Sequence, residues 1–322
     1  MNSARDWPLI IVGSGPAGIA VALEARRRDV RAVMIERGSL CNTLFRFPER
    51  MTYFSTPELL EFPGIPLVSA GPKPAKREVL DYFTRIVLEY ELPFVTDCVV
   101  TELCRDGEVF AVNSSRGEFR GRAVVLATGS FDQPNLLGIP GEELPHVSHY
   151  YASAHPAIGK VVVVVGGKNS AAEAALELSR AGATVTLIHR GPGLTPSIKY
   201  WIRPDLENRI REGAITALFR TRVTGIRDEF VRVLDDTGER ELRAEQVFLL
   251  TGYHPDYESL RAQGLEFESP AELPLHDPRT LETNIPGVYV AGVLIAGREA
   301  SRVFIENSRG HGIRILDHFL SQ

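Results

Sequence analysis

The sequence predicts an α/β fold of two Rossmann-like, doubly wound domains, the second inserted in the first. A short apolar strand, a glycine-rich loop and an Ala-rich helix occur in succession twice, at residues 8–28 and 160–180. A second strand follows each helix, and its tip lies 23 positions after the first loop glycine, at Glu36 and at His189. Strands that alternate with helices form parallel sheets covered by helices. The pattern is therefore typical of paired dinucleotide-binding domains.

The composition excludes several classes of protein. The 322 residues include 36 Lys and Arg against 41 Asp and Glu, a net charge of −5, so no basic surface for nucleic acid or anionic membrane is expected. No apolar run approaches the length of a membrane span. Residues 1–6 carry no apolar leader core, and the three cysteines (Cys41, Cys98, Cys104) form neither a disulphide framework nor a metal-ligand spacing. We expect a cytoplasmic protein without a metal site.

The first loop, Gly13-Ser14-Gly15-Pro16-Ala17-Gly18, follows the strand at residues 8–12. Gly13 permits a tight turn, Gly15 lets backbone N–H groups approach a pyrophosphate, and Gly18 lets the helix pack closely on the strand. Glu36 ends the next strand, where a carboxylate accepts hydrogen bonds from ribose hydroxyls. We interpret this unit as an FAD site whose ligands are Gly13, Gly15, Pro16, Ala17, Glu36 and Arg37.

The second loop runs through Gly166, Gly167, Lys168, Asn169 and Ser170, and its partner strand ends at His189 and Arg190. A carboxylate at this tip would repel a 2′-phosphate, whereas Arg190 can pair with one. We interpret the unit as an NADPH site, against the alternative that Arg190 is only a solvated strand-end arginine. Lys168 replaces the middle glycine, and its ammonium either reaches a phosphate or points to solvent.

Two similar turns and a C-terminal strand complete the pattern. Strands at 123–127 and 246–250 end in Thr128-Gly129 and Thr251-Gly252, and a strand near the end stops at Gly292-Val293. We predict an FAD-binding domain at residues 1–129 and 253–322, an NADPH-binding domain at 130–252, and a final helix at about 301–320. Thr128, Gly129, Gly292 and Val293 are assigned to FAD, and Gly252 to NADPH.

The whole chain resembles the flavoproteins related to low-molecular-weight thioredoxin reductase, and within them the YpdA-type bacillithiol-disulphide reductases. The residues that carry the resemblance are Gly166 to Ala171, Pro196-Ser197-Ile198-Lys199 with Trp201, Gly252 to Tyr257, Glu282 to Ile285, and Phe304 to Asn307 with His311-Gly312. The resemblance implies FAD, NADPH, a homodimer and reduction of a small thiol disulphide in the cytoplasm. Lys199 is assigned to NADPH, and Lys199 and Trp201 are candidates for shaping the nicotinamide or acceptor entrance.

One departure concerns the redox thiol. The resemblance implies a cysteine directly after the loop proline, where this chain has Ala17, and the Cys-x-x-Cys of thioredoxin reductases is absent. Disulphide cleavage ordinarily needs a thiolate beside the flavin. Cys41, five residues after Glu36, is the candidate replacement, and the alternative is an inert packed cysteine.

Other residues keep two interpretations open. His149 and His155 are either proton donors or ordinary histidines of the segment that links the two domains. The aromatic residues at 47, 53 and 54 either line the flavin ring or fill the core. Glu306 and Asn307 contact either the flavin or a partner subunit.

The predicted function is an FAD-dependent NADPH oxidoreductase, in which hydride passes from NADPH to flavin and on to a small disulphide or a small redox protein. The first alternative is a thiol-independent reductase of the ferredoxin, flavodoxin or quinone type. The second is a flavin- and NADPH-binding sensor with little turnover.

Overall fold

The structure is a computed structural model that describes residues 5–322, with the side chains of residues 5 and 299–301 left out. Residues 1–4, which bear on the expectation about a leader, lie outside the described residues. The chain divides into two compact units. Unit 1 holds residues 1–47, 51–133 and 253–322, and unit 2 holds 48–50 and 134–252. The first crossing lies at 133/134 rather than at the predicted 129/130, and the second lies at 252/253.

The helices and strands of the described residues have the following bounds. The helices are α1 Pro16–Arg27, α2 Asn42–Arg46, α3 Pro57–Leu60, α4 Lys76–Glu89, α5 Asn169–Arg180, α6 Arg203–Arg211, α7 Tyr257–Ala262, α8 Ile305–Ser308 and α9 His311–Ser321, with 3₁₀ turns at His155–Ala157 and Gly292–Arg302. The strands are β1 Arg5–Val12, β2 Ala32–Ile35, β3 Phe94–Val95, β4 Val100–Asp106, β5 Val109–Ser114, β6 Gly117–Leu126, β7 Gln133–Pro134, β8 Val147–Ser148, β9 Val161–Val165, β10 Thr184–His189, β11 Ile215–Phe219, β12 Arg222–Arg227, β13 Phe230–Asp235, β14 Gly238–Arg243, β15 Gln246–Leu249, β16 Tyr253–His254, β17 Phe267–Glu268, β18 Leu273–Pro274 and β19 Val288–Val290. Among the described residues, no helix has both the length and the apolar character that crossing a bilayer requires.

The main sheet of unit 1 is built around β6. Its strand order is β3-β2-β1-β6-β5-β4, and β19 pairs with the C-terminal half of β6. β1 runs parallel to β2 and β6, whereas β4, β5 and β6 form an antiparallel meander. The carboxyl ends of β1, β2, β6 and β19 therefore meet at one edge, which is where ligands bind in such sheets.

Unit 2 repeats the parallel arrangement with the strand order β11-β10-β9-β15-β8. Its crossover helix α5 connects β9 to β10, as α1 connects β1 to β2. The antiparallel sheet β12-β13-β14 completes the unit. The predicted α/β class and the parallel sheets are confirmed.

The apolar runs in the central strands are explained by burial on both faces of each sheet. In β1, Leu9 and Ile11 join one core cluster and Ile10 joins another. In β9, Val162 and Val164 pack on one side of the sheet, and Val163 and Val165 pack on the other. Continuous β-branched runs are the expected signature of such doubly covered parallel strands.

The C-terminal helix differs from the prediction. Instead of one helix over residues 301–320, the 3₁₀ turn Gly292–Arg302 is followed by α8 and then by α9. The Asn307 side chain accepts from the Phe304 N–H at 2.8 Å and donates to the Arg302 carbonyl at 2.9 Å. The oxygen and the nitrogen of the Asn307 side-chain amide are thus both hydrogen-bonded where α8 begins. Asn307 therefore has a structural role at the start of this helix.

Helix α9 packs along α1 at very close range. A Cβ on Gly312 would lie 2.5 Å from the backbone oxygen of Ala20, which cannot give way as a flexible side chain can. By contrast, a Cβ on the neighbouring Gly310 would meet nothing within 4 Å. The absence of a side chain at residue 312 therefore sets the distance between these helices.

We predict that Gly312→Ala lowers the free energy of unfolding by about 1–3 kcal/mol, because the added methyl group forces α9 away from α1. Gly310→Ala is the matched control and should change it by less than about 0.5 kcal/mol. Urea unfolding of both variants and the parent measures the difference. Equal stability of the two variants would contradict this account of the helix crossing.

Candidate functional site

The first loop turns at Gly13. Its backbone has φ +109°, and its N–H donates to the Ile35 carbonyl at 2.8 Å, which ties the loop to the end of β2. A Cβ here would lie 2.4 Å from the carbonyl oxygen of Ala127. Only glycine satisfies both the positive φ and this contact.

The rest of the loop forms an open backbone cradle. Gly15 precedes α1, and a Cβ on it would meet nothing within 4 Å. Pro16 is the first residue of α1, a position where the missing N–H costs nothing. The N-terminal N–H groups of this helix make a natural anion site. The space at Gly15 is what a pyrophosphate needs to approach the backbone, so the loop fits the predicted dinucleotide.

Glu36 is buried at the tip of β2 and firmly held. One carboxylate oxygen accepts from the Ser14 N–H at 2.9 Å and from the Ser14 hydroxyl at 3.1 Å. The other accepts from the Gly38 N–H at 3.0 Å. An ionised carboxylate has about four acceptor positions, so capacity remains for a ribose hydroxyl. Ser14 was missed by the sequence reasoning, which considered only the glycines around it.

The second loop repeats the backbone design of the first. The Gly166 N–H donates to the Ile188 carbonyl at 3.0 Å, as Gly13 does to Ile35. A Cβ on Gly166 would lie 2.6 Å from the carbonyl oxygen of Leu250, just as one on Gly13 would meet Ala127. The chain thus builds the same strand–loop–helix junction in each unit.

The tip of β10 differs in charge from the tip of β2. The His189 ring lies against Gly167 and Gly191, where a Cβ would come within 2.2 Å and 2.5 Å of ring atoms. Burial, and secondly the charge of Arg190, lowers the pKa of His189. The imidazole is therefore neutral near pH 7, and the exposed Arg190 supplies the positive charge at this tip.

Two residues assigned to NADPH use their side chains within the protein. Asn169 accepts from the Lys199 N–H at 2.7 Å and donates to the Ser197 carbonyl at 3.2 Å. The Lys199 ammonium is buried and lies 2.6 Å from the Glu173 carboxylate. These contacts tie both side chains to the loop wall, and the assignment of the two residues to NADPH stays a prediction. Lys168 and Ser170 are exposed at the start of α5.

Thr195 also fastens this wall and was missed by the sequence reasoning. Its hydroxyl donates to the Gly167 carbonyl at 2.5 Å. Together with the bonds of Asn169, this contact holds the segment 195–199 against the second loop. The side chain of Trp201 lies edge-on to Tyr200, 4.8 Å between ring centroids.

Both Thr-Gly turns have a glycine with positive φ. Gly129 has φ +71° and Gly252 has φ +95°. Within unit 2, the backbone carbonyl of Asn135 accepts a hydrogen bond from the Thr251 hydroxyl at 2.6 Å. The backbone N–H of Asn135 donates to the Gly252 carbonyl at 2.9 Å. Asn135 thus holds the second turn in place, and no sequence motif indicated it.

Gly292 lies beside Ala17, as their joint assignment to one cofactor requires. A Cβ on Gly292 would be 2.8 Å from that of Ala17. The Gly292 N–H donates to Nδ1 of His311, the first residue of α9, at 3.1 Å. The N-terminus of α9 therefore lies next to the first loop, and Val293 follows half-buried. His311 was noted only as part of a motif, and its contact with Gly292 is a finding of the structure.

Cys41 lies in surroundings that oppose a reactive thiol. The residue has no exposed surface, and its N–H donates to the Ser14 hydroxyl at 3.4 Å. Burial, followed by the charge of Glu36, raises the pKa of the Cys41 thiol to about 12. Because the thiolate is the nucleophile, the structure favours the packed alternative for Cys41. The hydroxyl of Tyr53 is enclosed as well, and Tyr53 belongs to the same core cluster.

Arg37 was assigned to FAD but forms an ion pair with Asp132. Arg46 binds the other oxygen of the same carboxylate and lies over the Phe131 ring, 5.2 Å from its centroid. Phe47 also packs against Phe131, with ring centroids 5.3 Å apart. Arg37 is thus part of a network that fixes the segment after Gly129, and its assignment to FAD stays a prediction.

His149 and His155, whose roles the sequence leaves open, have different surroundings. His149 lies 3.6 Å from the buried Glu142, which accepts from the N–H groups of Leu137 and Gly138 at 2.7 and 2.8 Å. His155 is exposed on a 3₁₀ turn. Within residues 5–322, as far as they are described, no cluster of His, Cys, Asp and Glu is suited to a metal ion.

The chain is similar in sequence and in structure to several known proteins. A family model described as pyridine nucleotide-disulphide oxidoreductase matches residues 10–292. The chain is 37% identical to the bacilliredoxin reductase Bdr of Bacillus subtilis, over 94% of each protein. It is 29% identical to a ferredoxin–NADP reductase of Thermus thermophilus, over 91% of this chain and 86% of that protein. The structure of the bacillithiol disulphide reductase Bdr from Bacillus cereus matches with a TM-score of 0.95 at 34% identity, covering 98% of this chain and 99% of that one.

The buried His311 generates a prediction about pH. Burial, and secondly the charge of Arg314, lowers the pKa of His311 to about 4. In the unfolded chain the pKa is about 6.5, so the unfolded state takes up the proton first as the pH falls. The stabilisation by the neutral ring is complete above about pH 6.5 and decreases towards pH 4, by up to about 3 kcal/mol.

We predict that His311→Asn reduces this loss of stability at low pH, because the asparagine oxygen still accepts from Gly292 but does not titrate. Urea unfolding at about pH 7 and about pH 5 measures the difference in slope. The exposed His155, changed to Asn, is the matched control and should keep the slope of the parent protein. A slope unchanged in His311→Asn would contradict the role of the buried ring.

Proposed function

This chain belongs to the family of pyridine nucleotide-disulphide oxidoreductases, and from that premise we propose that it uses FAD in unit 1 and NADPH in unit 2 to reduce a small thiol disulphide. The resemblance drawn from the sequence is confirmed, and the chain is a flavin-dependent oxidoreductase that uses a nicotinamide nucleotide. FAD, NADPH and the small disulphide are the finer parts of the proposal. The names of the Bdr relatives indicate bacillithiol disulphide as the first substrate to test.

A single observation carries the proposal: the same loop junction occurs twice, with opposite charges at the two strand tips. The carboxylate of Glu36 suits ribose hydroxyls, which donate hydrogen bonds, and it repels a 2′-phosphate. The guanidinium of Arg190 suits that phosphate. This difference supports the proposal that unit 1 binds the adenosine part of FAD and unit 2 that of NADPH.

When bound, the flavin supplies the redox chemistry, in which NADPH, one proton and a disulphide RSSR yield NADP⁺ and two thiols RSH. The chain's own residues bind and orient. Backbone N–H groups of the first loop hold a pyrophosphate, and Glu36 fixes the ribose beside it. The N-terminus of α9 lies beside Gly292 and Ala17, where its partial positive charge favours negative charge on a flavin ring.

His311 contributes to this arrangement as a neutral residue. Its Nδ1 accepts from the Gly292 N–H, so its proton resides on Nε2. The depressed pKa keeps the ring in this form near pH 7. We propose that it orients the backbone at Gly292 and Val293 for the flavin.

A second candidate acceptor is a small redox protein such as ferredoxin. Two observations favour it, the alanine at position 17 and the buried, protonated thiol of Cys41. A reductase of this type needs no protein thiol, and a ferredoxin–NADP reductase is among the relatives of this chain. The homodimer and the cytoplasmic location belong to the proposal through the resemblance alone.

The function is tested by anaerobic stopped-flow absorbance. We expect NADPH to bleach the bound flavin, and bacillithiol disulphide to restore its colour rapidly in a second mixing step. Thioredoxin and ferredoxin are mixed in separate experiments. Rapid reoxidation by ferredoxin but not by the disulphide would replace the first function with the second, and a protein that binds no flavin would end both.

Cys41→Ser should reduce the disulphide at a rate within about twofold of the parent protein, since an enclosed thiol with a high pKa supplies almost no thiolate. Cys104→Ser, at a half-buried position on β4, serves as the control. A loss of about 10-fold or more in the reoxidation step, with the flavin reduction by NADPH unchanged, would make Cys41 the redox thiol after all.

The cradle of unit 1 gives a prediction about flavin binding. Gly15→Ala should keep the stability of the flavin-free protein, because its methyl group meets no protein atom, but weaken FAD binding by at least about 10-fold, or about 1.4 kcal/mol. Gly13→Ala should instead destabilise the fold itself by about 2 kcal/mol or more, through its positive φ and the contact with Ala127. Thermal melting and fluorescence titration with FAD separate the two effects. Unchanged FAD affinity in Gly15→Ala would rule out this cradle.

A further inference from the structure

Three arginines lie together at one end of the parallel sheet of unit 2, and we call them the basic edge: Arg190, Arg220 and Arg222. β10 and β11 are parallel neighbours that end at His189 and Phe219, so the residues that follow them emerge at the same edge. The Arg220 N–H donates to the Gly191 carbonyl at 2.8 Å. That hydrogen bond holds Arg220 directly beside the Arg190-Gly191 segment.

The basic edge stands out from the other arginines of unit 2. Most of these form ion pairs with carboxylates: Arg50, Arg180, Arg203, Arg209, Arg227, Arg240 and Arg243. Arg190, Arg220 and Arg222 are exposed, and no ion pair found among the described residues includes them. Adjacent cations without counter-charges repel one another, so this arrangement suits an anionic ligand.

The backbone at Arg220 belongs to a tight turn. This residue has φ +51°, the left-handed conformation that glycine adopts most easily. The following Thr221 is buried and donates its hydroxyl to the Phe219 carbonyl at 2.9 Å, so it is not available to a ligand. Other turn residues such as Glu91 and Glu229 share this conformation, and a glycine can replace Arg220 without a change in the turn.

We propose that Arg220 is a second cation that binds the 2′-phosphate of NADPH together with Arg190, and that it sets the preference for NADPH over NADH. The inference rests on the proposed function, in which unit 2 binds NADPH. The adenine ribose of a dinucleotide lies at the tip of the second strand of such a unit, here at His189. A phosphate at that position would lie near Arg190, which directly follows β10, and near Arg220, in the turn that follows β11. Two guanidinium groups match its double negative charge.

The test is calorimetric titration of the flavin-loaded full-length protein with 2′,5′-ADP and with ADP, which differ only in the 2′-phosphate. Arg220→Gly removes the charge and retains a residue that accepts positive φ, so the turn should keep its shape. We expect this variant to bind 2′,5′-ADP about 10-fold more weakly than the parent protein, a change of about 1.4 kcal/mol, with ADP affinity unchanged. Arg220→Lys should recover part of the loss.

Arg232 supplies the matched control. It is exposed on β13 and is likewise absent from the ion pairs found among the described residues, but it does not belong to the basic edge. Arg232→Ala should bind both nucleotides as the parent does. Arg190→Ala is the positive control and should lose 2′,5′-ADP affinity selectively.

The outcomes separate the inference from the function on which it rests. A parent protein that prefers 2′,5′-ADP, with Arg220→Gly showing the same preference, overturns the role of Arg220 and leaves the NADPH assignment intact. A parent protein that binds 2′,5′-ADP no better than ADP overturns both. A selective loss in Arg220→Gly and in Arg190→Ala, but not in Arg232→Ala, establishes the two-arginine site.

Discussion

The close contact between a loop glycine and the backbone of a neighbouring strand is the constraint on which both candidate sites depend. At Gly13 the partner is the Ala127 carbonyl, and at Gly166 it is the Leu250 carbonyl. Each contact lets the loop cross the carboxyl edge of its sheet and turn directly into a helix. If either glycine carried a side chain, the loop would be displaced and the helix N-terminus would no longer face the space where a pyrophosphate binds. The positions of Glu36 and Arg190 follow from this junction. Each loop glycine is hydrogen-bonded to the end of the next strand, and Glu36 and Arg190 come directly after those strand ends.

Backbone features of the sites could be predicted from the sequence, whereas side-chain contacts could not. The glycines, Glu36 and Arg190 are identified by spacing because the junction has a fixed length. Asn169 and Lys199 show the limit. Both belong to a recognisable motif, yet their polar groups bind Ser197 and Glu173, partners that only the folded chain brings near. Arg37 is a similar case, since its partner Asp132 lies far along the chain. The division of the C-terminal segment into α8 and α9 was missed for a local reason. An asparagine side chain can either cap a helix or point to solvent, and the sequence does not say which of the two Asn307 does.

His311 and Arg220 had no positional signal either. His311 precedes the glycine that determines how closely α9 approaches α1, and this approach brings its ring to Gly292. Arg220 is placed by a backbone hydrogen bond to Gly191 that no spacing rule describes. In both cases the residue acts at a site formed by a remote part of the sequence, so its role becomes visible only when the sheet register is known.

Burial and, secondly, the charge of Glu36 both oppose a thiolate at Cys41. Cys41 is the cysteine nearest to Glu36 along the sequence, and the same buried carboxylate that suits a ribose also opposes a thiolate beside it. In this enclosed space the carboxylate that suits nucleotide binding therefore disfavours a thiolate, and a nearby cation would be needed to offset it. The described part of the chain brings no such cation into contact with Cys41: Arg37 and Arg46 both bind Asp132. If this protein reduces a disulphide, the electrons must then pass to the substrate without a mixed disulphide at Cys41, and the alanine at position 17 leaves the neighbouring loop without a thiol for that role as well. The chemistry of the acceptor would in that case be determined by which molecule fits beside the flavin ring, and not by a cysteine of the chain.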